Sequence, residues 1–163
     1  VWKNLTFDNV EYPFCFLNPE FAETSAYQWW SAYLKDLIEA CDEKTEGRGL
    51  EAVGRGVFAV SFFPYHVNNF KGGITNLRCQ KFAQNLVNHY RAEEVPIVIT
   101  SGSPEWTAAL PKLKDYASKT RNTQKATISR TNLPADVFDT IVGSLSQSLP
   151  APAPATEPEV VLA

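Results

Sequence analysis

The sequence predicts an α/β fold in which helices cover a mostly parallel sheet. Two apolar runs, "VFAVSFF" (57–63) and "VPIVIT" (95–100), are nearly continuous in the way of strands buried on both faces. Segments of helical period separate these runs from one another and from two weaker candidate strands. The resulting order, strand then helix four times over, is the pattern of parallel sheets with crossover helices. At 163 residues, with 44% hydrophobic and 12% aromatic content, the chain is one domain long enough to bury a core.

The first element is "YPFCFL" (12–17), an aromatic run expected to be extended and stopped by Asn18-Pro19. In "SAYQWWSAYLKDLIEAC", Tyr27, Trp30, Leu34, Leu37, Ile38 and Cys41 share one helical stripe. Glycines 47, 49, 54 and 56 then read as a flexible connector to the second strand. After the polar loop "PYHVNN", Leu77, Ala83, Leu86, Val87 and Tyr90 fall at helical spacing. "VPIVIT" is the next central strand, and in "SGSPEW" Ser103 is a candidate cap with Pro104 at the first helical position. A break is expected at Pro111. "KATIS" (125–129) is a weaker strand, and the last helix carries Val137, Phe138, Ile141, Val142 and Leu145. Residues 1–146 therefore make up a single domain, and the Pro/Ala-rich segment 147–163 is expected to be a flexible tail.

Net charge is −3, so no global charge points to nucleic acid. Between Pro111 and Arg130, however, Lys112, Lys114, Lys119, Arg121, Lys125 and Arg130 face Asp115 alone. Such a run is either a phosphate-binding face or a solvated surface. Cys15, Cys41 and Cys79 are odd in number, widely spaced and near no histidine, which fits a reducing, cytoplasmic setting and opposes a disulfide framework or a zinc site. No stretch is apolar enough for a membrane span. Phosphate-binding Gly-rich loops, the dinucleotide fingerprint, H-E-x-x-H and a nucleophile elbow are all absent from the sequence.

Ligands of parallel sheets sit beyond the carboxyl ends of the strands. Here those ends lead into "PYHVNN", "SGSPEW" and "SRTNL". His66 can donate to a developing anion or transfer a proton, and it can equally brace its own turn. Asn68 and Asn69 carry amides able to read a base edge. Phe14, Phe16 and Tyr65 are flat surfaces on which an extruded base could stack, and core packing is the alternative for each.

The series "YPFCFLNPEFAETSAYQWW", "FFPYH", "VPIVITSGSPEW" and "ATISRTNL" resembles an uncharacterised bacterial family related to the uracil-DNA glycosylase superfamily. The resemblance spans most of residues 1–145. It implies a three-layer α/β/α sandwich that binds DNA, flips a nucleotide and hydrolyses its N-glycosidic bond without metal or organic cofactor. It further implies His66 and Asn68 as catalytic or base-reading groups, with Phe14, Phe16, Tyr65 and Asn69 against the base. Ser129, Arg130 and Asn132 would line the last loop, Leu133 would be a wedge in the duplex, and Lys119, Arg121 and Lys125 would hold phosphates. The base need not be uracil, since related enzymes attack modified bases of phage DNA. Two departures stand out. The last loop lacks the superfamily's histidine, which Arg130 or His66 would replace. No strand with a water-positioning loop precedes residue 12, so either upstream sequence completes the site or the domain binds DNA without catalysis. A partner-binding domain, with Trp29 as an anchor, is the reading from a different class.

Overall fold

The computed structural model describes residues 12–62, 77–122 and 124–150. The chain enters through two short 3₁₀ turns, Cys15–Leu17 and Pro19–Phe21. The first replaces the extended run expected at 12–17, because the Leu17 and Asn18 amides bond back to the Phe14 and Cys15 carbonyls. Asn18 closes the bend: its side chain accepts from the Glu20 amide at 3.0 Å, and Pro19 supplies a fixed φ at the first position of the second turn. Helix α1 (Ser25–Tyr33) starts where Thr24 Oγ1 accepts from the Tyr27 amide, and α2 (Lys35–Asp42) follows a bend at Leu34.

The glycine-rich stretch expected to be a connector is helix α3 (Gly49–Gly56). Its glycines are where other groups approach its backbone. A Cβ on Gly49 would collide with the Ile38 carbonyl oxygen and lie 2.5 Å from the Asp42 amide nitrogen, while one on Gly54 would meet the Tyr12 ring at 2.7 Å. The Asp42 carboxylate accepts from the Gly49 amide at 2.5 Å and so caps α3 from the end of α2.

Helix α4 (Arg78–Ala92) turns Ala83 and Val87 inward. Strand β1 (Val98–Ile99) pairs in parallel with β2 (Ser118–Lys119), in the register Val98 to Ser118 and Ile99 to Lys119. Bonds from the Ser118 amide to the Ile97 carbonyl and from Thr120 to Ile99 complete the ladder. The crossover a parallel pair requires is made by α5 (Ser103–Ala109) and a 3₁₀ helix, Pro111–Asp115, with the expected break before Pro111. Helix α6 (Ala135–Gln147) buries Phe138, Val142 and Leu145.

Two apolar clusters hold these elements. Leu17, Leu34, Leu37, Cys41, Val53, Leu133, Phe138 and Val142 unite α2, α3 and α6. Phe62, Ala83, Val87, Ile99, Trp106 and Leu113 join α4 and α5 to β1. Each fully buried Leu or Phe contributes about 1.5–3 kcal/mol, so the first cluster is the main stabilising unit.

The chain is thus a mixed α/β protein with a parallel strand pair. Besides 12–17, the strand expected at 95–100 is reduced to Val98–Ile99, and those expected at 57–63 and 125–129 are not formed among the described residues. Residues 57–62 carry no strand pairing, and Phe58 is exposed while Phe62 is buried. Residues 125–129 are also irregular, because the carbonyls of Lys125 and Thr127 are taken by a side-chain amide rather than a neighbouring strand. Residues 148–150, expected to begin a flexible tail, are anchored: Leu149 packs on the first cluster, and the Pro150 carbonyl accepts from Arg48 Nη1 at 2.9 Å. Among the described residues no helix is long and apolar enough to cross a membrane, and no group of side chains is arranged to hold a metal.

Candidate functional site

Both strands of the parallel pair end on the same edge, and α5 leaves from that edge. The result is a cleft of about 410 Å³ floored by Ile99 and lined by Thr100, Ser101, Gly102, Ser103, Lys119 and Thr120. Gly102, at φ +62, makes the left-handed turn that sends the chain from β1 into α5. The helix therefore starts one residue earlier than a Ser103 cap would give: Gly102 takes the cap position, and its carbonyl accepts from the Trp106 amide. The lining residues carry several hydroxyls and one cation, but most of the surface they present is apolar. Thr120 is 5% exposed, and its buried Oγ1 has no hydrogen-bond partner among the described residues.

An aromatic shelf adjoins this cleft. Phe16 stacks on Trp30, with rings 18° from parallel and centroids 6.1 Å apart. Trp29 stacks on Tyr33 at 4.8 Å and 17°, and Trp30 meets Tyr33 edge-on at 5.5 Å. The Tyr33 side chain approaches that of Thr100 in the cleft wall. Burial pushes the Tyr33 hydroxyl above its ordinary pKa, and the nearby Thr100 side chain works against that shift. Trp29 and Phe16 remain 56% and 42% exposed, so the shelf presents free ring surface.

From Lys119 the chain continues into a loop organised by Asn132, which is 5% exposed. Asn132 Oδ1 accepts from the Asn122 amide at 2.6 Å. Its Nδ2 donates to the carbonyls of Lys125 at 2.8 Å and Thr127 at 2.9 Å, with a longer 3.4 Å contact to that of Asn122. The Asn132 carbonyl accepts from the Arg121 amide at 2.8 Å. Asn122 in turn accepts from the Gln124 and Lys125 amides. Lys119, Arg121 and Lys125 are exposed on this framework, and among the described residues none of them forms an ion pair.

Of the other residues singled out from the sequence, Phe14 lies in the core, edge-on to Trp30 at 4.9 Å, while Phe16 is on the shelf. Ser129 is buried, with its hydroxyl 3.2 Å from that of Thr131. Leu133 is fully buried in the first cluster, so in this conformation it serves packing and not insertion. Arg130 pairs with Asp139 at 2.7 Å and lies over the Phe138 ring at 5.2 Å. Tyr65, His66, Asn68 and Asn69 lie outside the described residues. The cleft residues Thr100 and Ser101 were signalled by their place after "VPIVI". Thr120 carries no signal in the sequence, and Trp29, expected there only as a partner-binding anchor, stacks on Tyr33.

No protein-family model, curated protein or solved structure matches the chain.

Proposed function

We propose that this protein is a DNA-binding base-excision domain, a glycosylase of the uracil-DNA glycosylase kind built on a three-layer α/β/α sandwich. The observation that carries the reading is the junction of cleft and shelf. A depression at the carboxyl edge of a parallel pair, lined by Thr100, Ser101, Ser103 and Lys119, lies beside exposed stacked aromatic rings, with Tyr33 approaching Thr100 between them. Such a site suits a flat heterocycle attached to a sugar phosphate: the ring stacks, and the hydroxyls and Lys119 meet the polar remainder.

In this reading His66 and Asn68 supply the chemistry. Phe62 packs against Trp106 at 4.9 Å, and Trp106 lies beside Gly102 of the cleft. The reaction is attack of water on the sugar C1′. The C1′–N bond breaks with its electron pair passing to the base, His66 stabilises the departing anion, Asn68 and Asn69 hold the base edge, and the proton lost by the attacking water ends on the released base. The test is incubation with duplex and single-stranded oligonucleotides carrying uracil, hypoxanthine or modified cytosines, followed by alkaline cleavage of abasic sites. Strand breaks that disappear in His66→Ala and Asn68→Ala support excision; intact DNA throughout rejects it.

A second reading, DNA binding without turnover, is favoured by one feature. The described cleft lining contains hydroxyls and a lysine but no carboxylate or imidazole. Salt-sensitive binding with no abasic product would select it.

A further inference from the structure

We infer that Asn132 is a positioning residue: its side chain does not touch the nucleic acid but shapes the loop that carries Arg121 and Lys125, which with Lys119 offer cations to a phosphodiester backbone. The inference rests on the nucleic-acid-binding reading above and adds the element that builds the binding face.

The chemistry of the amide decides the point. A primary amide has one acceptor oxygen and two N–H donors. In Asn132 the oxygen takes the Asn122 amide, and the nitrogen faces the carbonyls of Lys125, Thr127 and Asn122. With 5% of the residue exposed, both donors are engaged and the oxygen already has its backbone partner. These bonds close the loop from both sides. One fixes the backbone next to Arg121, whose own amide bonds the Asn132 carbonyl; another fixes Lys125 itself. Asn122 is the second tier, since its Oδ1 turns the chain by accepting from the Gln124 and Lys125 amides.

The loop has the composition of a binding surface. Three exposed cations without an ion pair among the described residues flank the buried hub, so their charge is available to a phosphate backbone. Arg130, by contrast, already spends its charge on Asp139. Lys119 lines the cleft, so a strand lying across Lys125, Arg121 and Lys119 would deliver a nucleotide to it.

Counterion release makes this measurable without any excision. Each phosphate contact on a single strand adds about 0.7 to the slope of log K against log salt concentration. Binding of a fluorescent single-stranded oligonucleotide is titrated at several salt concentrations for wild type, Lys119→Gln, Asn132→Ala and Asn122→Ala. Backbone amide exchange is followed in parallel. Lys119→Gln should flatten the slope by about 0.7. Asn132→Ala changes no charge, yet it should flatten the slope by about 1.4 because Arg121 and Lys125 both lose register. Protection at Asn122 should be lost at the same time.

Asn122→Ala lies on the surface and keeps the Asn132 hub, so it decides the matter if Asn132→Ala does not fold. It should release Lys125 alone and flatten the slope by about 0.7. An unchanged slope in either asparagine variant despite lost amide protection overturns the inference, as does a wild type that fails to bind. Binding that follows this pattern without abasic product leaves the inference standing and removes the excision reading. Excision that is indifferent to Asn132 and Asn122 does the reverse.

Discussion

Tyr33 joins two surfaces: its ring lies 4.8 Å from that of Trp29, and its side chain approaches Thr100 in the cleft wall. Because Trp29 is 56% exposed, removing its side chain costs the fold little, but it strips the outer face of the shelf. Trp29→Ala should leave the melting temperature nearly unchanged. It should weaken single-stranded oligonucleotide binding by about 1–3 kcal/mol, the value of one base–aromatic stack. Fluorescence anisotropy measures the affinity and thermal unfolding the stability. Unchanged affinity would remove the shelf from the site.

Two glycines make opposite predictions. Gly49 faces the backbone of α2, where a methyl group would collide with the Ile38 carbonyl oxygen. Gly49→Ala should destabilise the protein by about 1–3 kcal/mol, the usual cost of overpacking. Gly143 lies within α6, and a Cβ there would meet nothing within 4 Å. Gly143→Ala should stabilise by about 0.5–1 kcal/mol through helix propensity and a less flexible unfolded chain. Denaturant unfolding of the two variants reads both signs.

Helix legibility followed from periodicity. The inward face of α6, Ala83 and Val87 of α4, and the break at Pro111 appear where their spacing placed them. The Tyr27–Cys41 stripe, by contrast, is divided between α1 and α2 at Leu34, and Leu77, at 44% exposed, lies just before α4. Strands were harder to read. "KATIS" has strand-like residues, but its carbonyls are claimed by Asn132, a contact between residues too far apart for local pattern to reveal. Ser118–Lys119 is a strand without apolar alternation, because a short polar segment is ordered by Ile97 and Ile99 across the ladder. The glycines of α3 looked like flexibility because sequence cannot show that another backbone passes beside them. In the site, strand-end position identified the loop at Ser101, whereas the role of Asn132 as a hub required the fold.

Thr120 offers a test of the cleft wall. Its hydroxyl is buried without a partner among the described residues, and a group in that state carries its desolvation penalty uncompensated. Valine has the same shape and no hydroxyl. Thr120→Val should therefore raise stability by about 1 kcal/mol, visible as a higher melting temperature. A lower melting temperature would mean that the hydroxyl does find a partner in solution.

Acid should loosen the α3 end of the molecule through Glu51. Its carboxylate, in a side chain 17% exposed, accepts from Arg48 Nε at 3.0 Å and from Arg55 Nε at 3.1 Å. The Arg48 guanidinium, aided by that of Arg55 and opposed by burial, holds the Glu51 carboxyl below its ordinary value of 4.5. With a depressed folded value, the unfolded chain binds more protons through the acid range. The stabilisation is therefore complete above about pH 4.5 and is lost as pH falls through the folded value. Glu51→Gln should melt below wild type at neutral pH, with the gap closing on acidification below 4.5. Arg48 also holds the Pro150 carbonyl, so the same titration should release the segment after α6. Amide exchange at the end of α6 should then rise in Glu51→Gln at neutral pH and in wild type only in acid. A pH-independent gap between the two proteins would show that Glu51 acts by packing rather than by charge.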